Sequence, residues 1–211
     1  DGREQREADD EEELASELQA DWFLHLDPDE VPLPPRPETT LGAALAEVDQ
    51  AGYDAVEFAE FTFVPTREAP DHDHPAFRQT MHWYYPFAPR PLHLLRAWKR
   101  QTARVDLTTT AGHAVGFEGR RIYPRRFHLR HYLFLSREHA RRKYGDKLYD
   151  PDELRHQWHG WRANLRADTL RLPQQAELRA AHTDADLDPS SPRTEHCLTW
   201  RLPAEPQNDA A

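Results

Sequence analysis

"DWFLHLDPDEVP", residues 21–32, decides how the rest of the chain is read. An apolar run from Trp22 to Leu26 ends in Asp27, Asp29 and Glu30, three carboxylates within four residues. A short aromatic-rich apolar run of this kind reads as a strand, expected here over 22–27, with the acids at its carboxyl end. In extended chain Asp27 and Asp29 point to the same side. Carboxylates that close repel unless a cation lies between them. Hard divalent ions take oxygen ligands, and Mg²⁺ or Mn²⁺ typically uses one or two carboxylates plus a substrate phosphate. The residues alone leave two readings open: a metal bridge to a diphosphate, or a strand end that emerges into solvent.

Working outward, residues 1–20 are polar and helix-forming, with Leu14 and Leu18 on one face. "PDEVPLPPRPETT", residues 28–40, reads as a proline-rich loop, because proline cannot donate to a sheet ladder. Thr39 or Thr40 then caps a helix over "LGAALAEVDQAGY", which Gly52 stops. "YDAVEFAEFTFVP" reads as a strand, and "TREAPDHDHPAFRQT" as a loop. "MHWYYPFAPRPLHLLRAWKRQ" is broken by prolines, with a short amphipathic piece at 92–98. Strand-like runs flank a glycine turn in "ARVDLTTTAGHAVGFEG", and "RRIYPRRFHLRHYLFL" is again extended. Ser136 caps a helix that begins "REHARRKYG", and Asp150 with Pro151 opens another over "DPDELRHQWHGWRANLRAD". The order of elements predicts an α/β fold with a mixed sheet flanked by helices. Ligands bind such sheets beyond the carboxyl ends of strands, which is where the opening acids are expected.

The chain has 211 residues, room for one sizeable domain, or one domain and a tail. Its formal net charge of -10 opposes nucleic acid and anionic surfaces as partners. Positive charge is nevertheless concentrated in "GRRIYPRRFHLRHY" and "REHARRKYGDK", which suits a small phosphate-bearing ligand or a solvated face. The single Cys197 excludes an internal disulfide and a cysteine-based zinc site. No apolar stretch nears the roughly 20 residues that span a bilayer, and no signal-peptide pattern opens the chain. A cytoplasmic location is the expectation.

"DWFLHLDPDE" resembles the central strand and Asp-x-Asp-Glu motif of family 2-like bacterial glycosyltransferases with the GT-A fold. "GHAVGFEGRRIYPRRFHLRHYLFLSREHARRKY", residues 112–144, is similar to the late segment of that family, where Gly-His is followed by a Tyr-Pro run and a His-Tyr. "WHGWRANL" is similar to its closing helix. The resemblance covers about residues 10–168. It implies a partial GT-A, Rossmann-like domain over 1–170 and leaves 171–211 as a polar, loosely held tail. It implies transfer of a sugar from a nucleotide-sugar donor to a saccharide or lipid-linked acceptor with Mn²⁺ or Mg²⁺. Asp29 matches the aspartate that binds the metal directly, Asp27 the one nearer the ribose and a metal-bound water, and Glu30 a residue beside the donor sugar. His131 matches the histidine that completes metal coordination. Arg125, Arg126 and Arg130 are then candidates for neutralising the leaving diphosphate, Arg130 first.

A base must take the acceptor hydroxyl's proton; His113, Asp106 and the Asp71–His74 loop are the candidates, and no spacing decides between them. Glu57 and Glu60 read either as pocket residues or as the outward face of a strand. The family's opening half, with its nucleotide-binding strands, has no counterpart in this sequence. A longer protein or another chain would have to supply it, and activity of this chain alone is doubtful on that account. Family members of this type often work near the membrane surface, which extends the expected partners to a peripheral membrane association. Two other readings use the same residues: a non-catalytic transferase-like domain that binds carbohydrate or a partner through its aromatics, and a metal-dependent hydrolase built on "DPDE" and "DHDH".

Overall fold

The computed structural model describes residues 12–15, 17–110, 112–145 and 170–197, and folds them as α/β. Eight strands form two sheets. One is a three-stranded antiparallel sheet in the order β1-β6-β3, made of β1 (Trp22–Leu24), β6 (Ala97–Lys99) and β3 (Ala55–Val56). The other runs β2-β7-β4-β5-β8: β2 (Glu30–Leu33), β7 (Phe127–Tyr132), β4 (Phe58–Phe63), β5 (Trp83–Phe87) and β8 (Arg179–Ala180). Its β4–β7 pair is parallel and its other pairs are antiparallel, so the sheet is mixed. Besides a helical stretch at 12–15, the described helices include α1 (Leu41–Gln50), α2 (Phe77–Thr80) and α3 (Arg137–Ala140), the last running into a π-helical turn at Arg141–Gly145.

The aromatic content of β4 explains its place at the centre. All six of its residues are buried, and strand alternation sends Phe58, Glu60 and Thr62 to one face and Ala59, Phe61 and Phe63 to the other. The first face packs Phe58, Phe127 and Leu129 against Ala44, Leu45 and Val48 of α1. The second packs Phe61 and Phe63 against Met81, Tyr84, Tyr132, Ala181 and Leu187. Thr40 caps α1, its hydroxyl accepting from Ala43 N at 3.2 Å, and Ser136 caps α3 through His139 N at 3.0 Å. Both caps lie where the sequence puts them.

Several expectations fail for identifiable reasons. The proline-rich stretch is not all loop: β2 pairs with β7, Pro32 opposite Leu129. β2 is an edge strand, where a proline is tolerated if its missing N–H faces away from the neighbour. β1 is not a central strand; it is three residues long at the edge of the smaller sheet. It ends early because the chain turns at Pro28, with Glu30 N donating to Asp27 O at 3.0 Å. The surface helix expected within residues 1–20 is by contrast present at 12–15; Leu14 and Leu18 are 53% and 46% exposed, and Glu12 is buried beside them. Glu12 accepts from Leu107 N at 2.7 Å and Arg104 Nε at 2.6 Å, so its carboxylate anchors this stretch.

The presumed loose tail is packed as far as it is described. β8 pairs with β5, and Leu170, Leu172, Leu187 and Cys197 are buried. A few apolar residues widely spaced in polar sequence suffice to pin a segment that has no period of its own. The helix expected over 150–168 lies outside the described residues. Among the described residues no helix is long and apolar enough to cross a membrane.

Phe127 is fully buried, with its ring edge-on to Phe58 at 5.8 Å. Phe127→Ala is expected to lower unfolding free energy by about 3–5 kcal/mol in urea titration. Thr40→Ala, which removes only a cap, is expected to lower it by about 1 kcal/mol.

Candidate functional site

A carboxylate in the middle of a fully buried strand must find positive charge or hydrogen-bond donors. Glu60 of β4 finds three: His131 Nδ1 at 2.6 Å, Thr62 Oγ1 at 2.7 Å and His93 Nε2 at 3.2 Å. His131 stands on the same sheet face, one strand over in β7. Its other nitrogen, Nε2, lies 3.4 Å from Asp29 Oδ2, so the ring bridges two acids. Burial works against a charged ring, but Glu60 and Asp29 outweigh it and raise His131 to about 10. His131 is therefore an imidazolium here. Asp29 is buried enough to resist ionisation, yet His131 and Lys143 hold its pKa well below the usual range. Lys143 Nζ, from the π-helical turn, donates to Asp29 Oδ2 and, at 2.9 Å, to the carbonyl of Leu133.

Arg96 organises the other half of the site. Its side chain is only 1% exposed, and Nη2 donates to Glu30 Oε1 at 2.9 Å, Asp27 Oδ2 at 3.2 Å and His113 Nδ1 at 3.2 Å. Its Nε and Nη1 are buried without a hydrogen-bond partner. The turn closes on itself as well, Asp27 N donating to Glu30 Oε2 at 3.0 Å. Burial raises Glu30 to about 7, Asp27 adding to the rise against the pull of Arg96. Burial and the Arg96 charge press His113 down to about 3, so its ring is neutral. Beyond Glu60 on the same face, Tyr85 accepts from Cys197 N at 3.2 Å and meets His196 Nδ1 at 2.9 Å. His196 stacks on Phe87 with ring centroids 3.9 Å apart.

The structure thus brings Asp27, Asp29, Glu30, His113 and His131 into one cluster. It does so by a different geometry from the one extended chain implies. The turn at Pro28 separates the two aspartates, and each carboxylate meets its own cation. The arginines do not join them. Arg130 is next to His131 and so faces the opposite side of the sheet, where it pairs with Asp184 at 2.6 Å and lies 4.9 Å from the Phe63 ring centre. Arg126 sits five residues earlier, about 17 Å along the strand, and pairs with Glu57 at 2.7 Å. Arg125 donates to Pro35 O.

Both proposed bases already have hydrogen-bond partners. Asp106 caps a 3-10 turn, accepting from Thr109 N at 2.9 Å and Thr109 Oγ1 at 2.6 Å. His113 uses its Nδ1 lone pair on Arg96, which leaves the proton on Nε2. In the Asp71–His74 loop, His72 and His74 both contact Thr80 Oγ1, and Asp73 pairs with Arg142. Sequence reading missed Arg96 and Lys143 and left Glu60 open between a pocket and the outward face of a strand. A lone Arg in the apolar "LLRAW" and a Glu inside an aromatic strand are the signals that point to them, since buried charges come in pairs.

Two carboxylates and an imidazole have the donor chemistry of a Mn²⁺ or Mg²⁺ site. That set fits the ion by chemistry and is not preassembled for it. Among the described residues no group of three or more His, Cys, Asp or Glu is arranged to hold a metal ion. Lys143 and Arg96 already balance the aspartates, and His131 becomes a donor only by giving up its Nε2 proton. No family model, curated protein or solved structure matches the chain.

Glu30 makes stability depend on pH with a definite sign. The folded chain keeps its proton up to about 7, whereas the unfolded chain releases it near the ordinary 4.5. The folded state binds more protons between those values, so this stabilisation is full below pH 4.5 and is lost as pH rises through 7. Urea unfolding of wild type is expected to weaken by roughly 2–3 kcal/mol relative to Glu30→Gln between about pH 5 and 8. Parallel profiles would mean that Glu30 is ionised throughout.

Proposed function

We propose that this chain is the acceptor-side half of a metal-dependent glycosyltransferase, moving a sugar from a nucleotide-sugar donor to a saccharide or lipid-linked acceptor. One observation carries the reading. Asp29 and His131, assigned to a single metal site by segments far apart in the sequence, lie 3.4 Å from each other, with Asp27 and Glu30 in the adjoining turn. Asp27, Asp29 and His131 would hold Mn²⁺ or Mg²⁺, which when bound supplies positive charge to the leaving diphosphate. In the transfer, the bond from the anomeric carbon to the diphosphate oxygen breaks and the acceptor oxygen takes its place, its proton passing to a base.

This chain's own residues set the conditions. Arg96 fixes the turn, Glu60 fixes the His131 ring, and the apolar surround of Phe87, Tyr85 and Leu129 limits water. Strands that carry nucleotide-binding residues have an edge to join, because β1 has no partner on its outer side among the described residues. The proposed setting is the cytoplasmic side of a membrane, in peripheral contact with it.

A second reading has its own observation. Asp27, Asp29, Glu30 and Glu60 each have a cationic or histidine partner within the chain, as a structural ion cluster requires. Under it the domain is a non-catalytic binder of carbohydrate or of a protein partner.

Titration of Mn²⁺ into the chain and into Asp29→Asn, with free Mn²⁺ read by EPR, separates the two. The transferase reading expects saturable binding that the variant loses and that UDP, GDP or dTDP tightens once the nucleotide-binding half is supplied. No effect of any nucleotide under those conditions, with the chain folded, sinks it and leaves the structural cluster.

A further inference from the structure

The two basic groups on the aspartates differ in a way that assigns them different tasks. Arg96 is sealed: its side chain is 1% exposed and one nitrogen serves Asp27, Glu30 and His113 together. Lys143 is 27% exposed and reaches Asp29 from the surface side. Its ammonium has a second support, lying 5.1 Å from the Tyr144 ring centre, where a cation is attracted to the ring face. Tyr144 OH donates to Leu133 O at 3.0 Å, so the carbonyl that Lys143 also uses keeps a donor when Lys143 leaves. The π-helical turn at Arg141–Gly145 carries both residues, and such turns often mark functional positions.

We propose that Lys143 is the resident cation of the Asp29 carboxylate, and that a divalent ion and the Lys143 ammonium exclude each other there. The inference rests on reading Asp29 as a metal ligand. Charge requires the exclusion. Asp29 and Glu60 face His131 and Lys143; with the His131 ring neutral as a ligand, a divalent ion added with Lys143 in place would still set three positive charges against these two carboxylates. The ammonium is the one group among them that can move off without leaving a buried charge unpaired. Bound to Asp29, it keeps the carboxylate ionised and in position while no ion is present. Displaced, it frees the same oxygen for the ion and stays on the Tyr144 face beside it.

The competition lowers apparent ion affinity by the fraction of molecules in which Asp29 is free. If Lys143 occupies it in about nine molecules of ten, Lys143→Met tightens Mn²⁺ binding about tenfold. Lys143→Arg keeps a cation at the carboxylate and gains nothing. The experiment titrates Mn²⁺ by EPR into wild type, Lys143→Met, Lys143→Arg and Asp29→Asn, with circular dichroism checking each fold. Lys143→Gln replaces the Met variant if that one unfolds, since its amide can still donate to Leu133 O.

Tightening in Met or Gln alone, abolished by adding Asp29→Asn, is the expected result. Unchanged or weaker binding in the folded uncharged variants, equal tightening in Lys143→Arg, or no Mn²⁺ binding in any of them overturns the inference. Titrations repeated with UDP, GDP and dTDP, with the nucleotide-binding half supplied, keep it distinct from the transferase reading. A tighter Mn²⁺ site indifferent to every nucleotide retains the Lys143 assignment and removes the transferase. Nucleotide binding with Mn²⁺ affinity unmoved by Lys143→Met does the reverse.

Discussion

Glu60 is the constraint around which the rest is arranged. A carboxylate at the centre of a strand with every residue buried has no water to turn to, so the neighbouring elements are obliged to bring donors to it. β7 supplies His131, β4 itself supplies Thr62, and the segment before β6 supplies His93. Once His131 is charged and held on that side, its second nitrogen calls for a second acid, and Asp29 at the head of β2 is the group within reach. The parallel β4–β7 pair and the antiparallel β2–β7 pair therefore serve electrostatics as much as they serve the ladder. One face of the sheet changes over two residues from an apolar floor under α1 to an ionic cluster.

That ionic cluster can be read in two ways because a buried set of charges looks much the same whether it exists for stability or for binding. What tilts the balance is asymmetry. A purely structural cluster is best sealed on all sides, as the Arg96 and Glu30 side chains are. On its surface side Asp29 meets Lys143, which is 27% exposed, and Asp27 keeps half of its side-chain surface in contact with solvent. A site that must admit a ligand needs this kind of weaker side, whereas a clasp does not.

The sequence made some of this legible and hid the rest for physical reasons. Thr40 and Ser136 declare their helices because caps are local, the side chain and the amide it serves lying within three residues. The strand at 58–63 is visible because Phe58, Phe61 and Phe63 crowd into six residues. The acids at 27–30 stand out as a group, but a spacing of two says where side chains point only if the backbone stays extended, and Pro28 turns it. Arg130 and His131 look equivalent on the page, and pleating alone sends them to opposite faces. Arg96, Lys143 and Glu60 were hidden because their roles depend on partners remote in sequence. The final segment was misread because composition averages over residues, whereas Leu187 and Cys197 act singly.

Pro32 carries one more consequence. An exposed edge strand ordinarily offers a row of unpaired amides on which another chain can lay a strand of its own. In β2 that row is interrupted at Pro32, and Pro34 and Pro35 follow within two residues of its end. An incoming strand would find too few donors to hold its register, so the larger sheet resists edge-to-edge aggregation on this side. The same residues that keep β2 short also guard its outer edge, leaving the chain free to hold an acidic turn at the head of an edge strand.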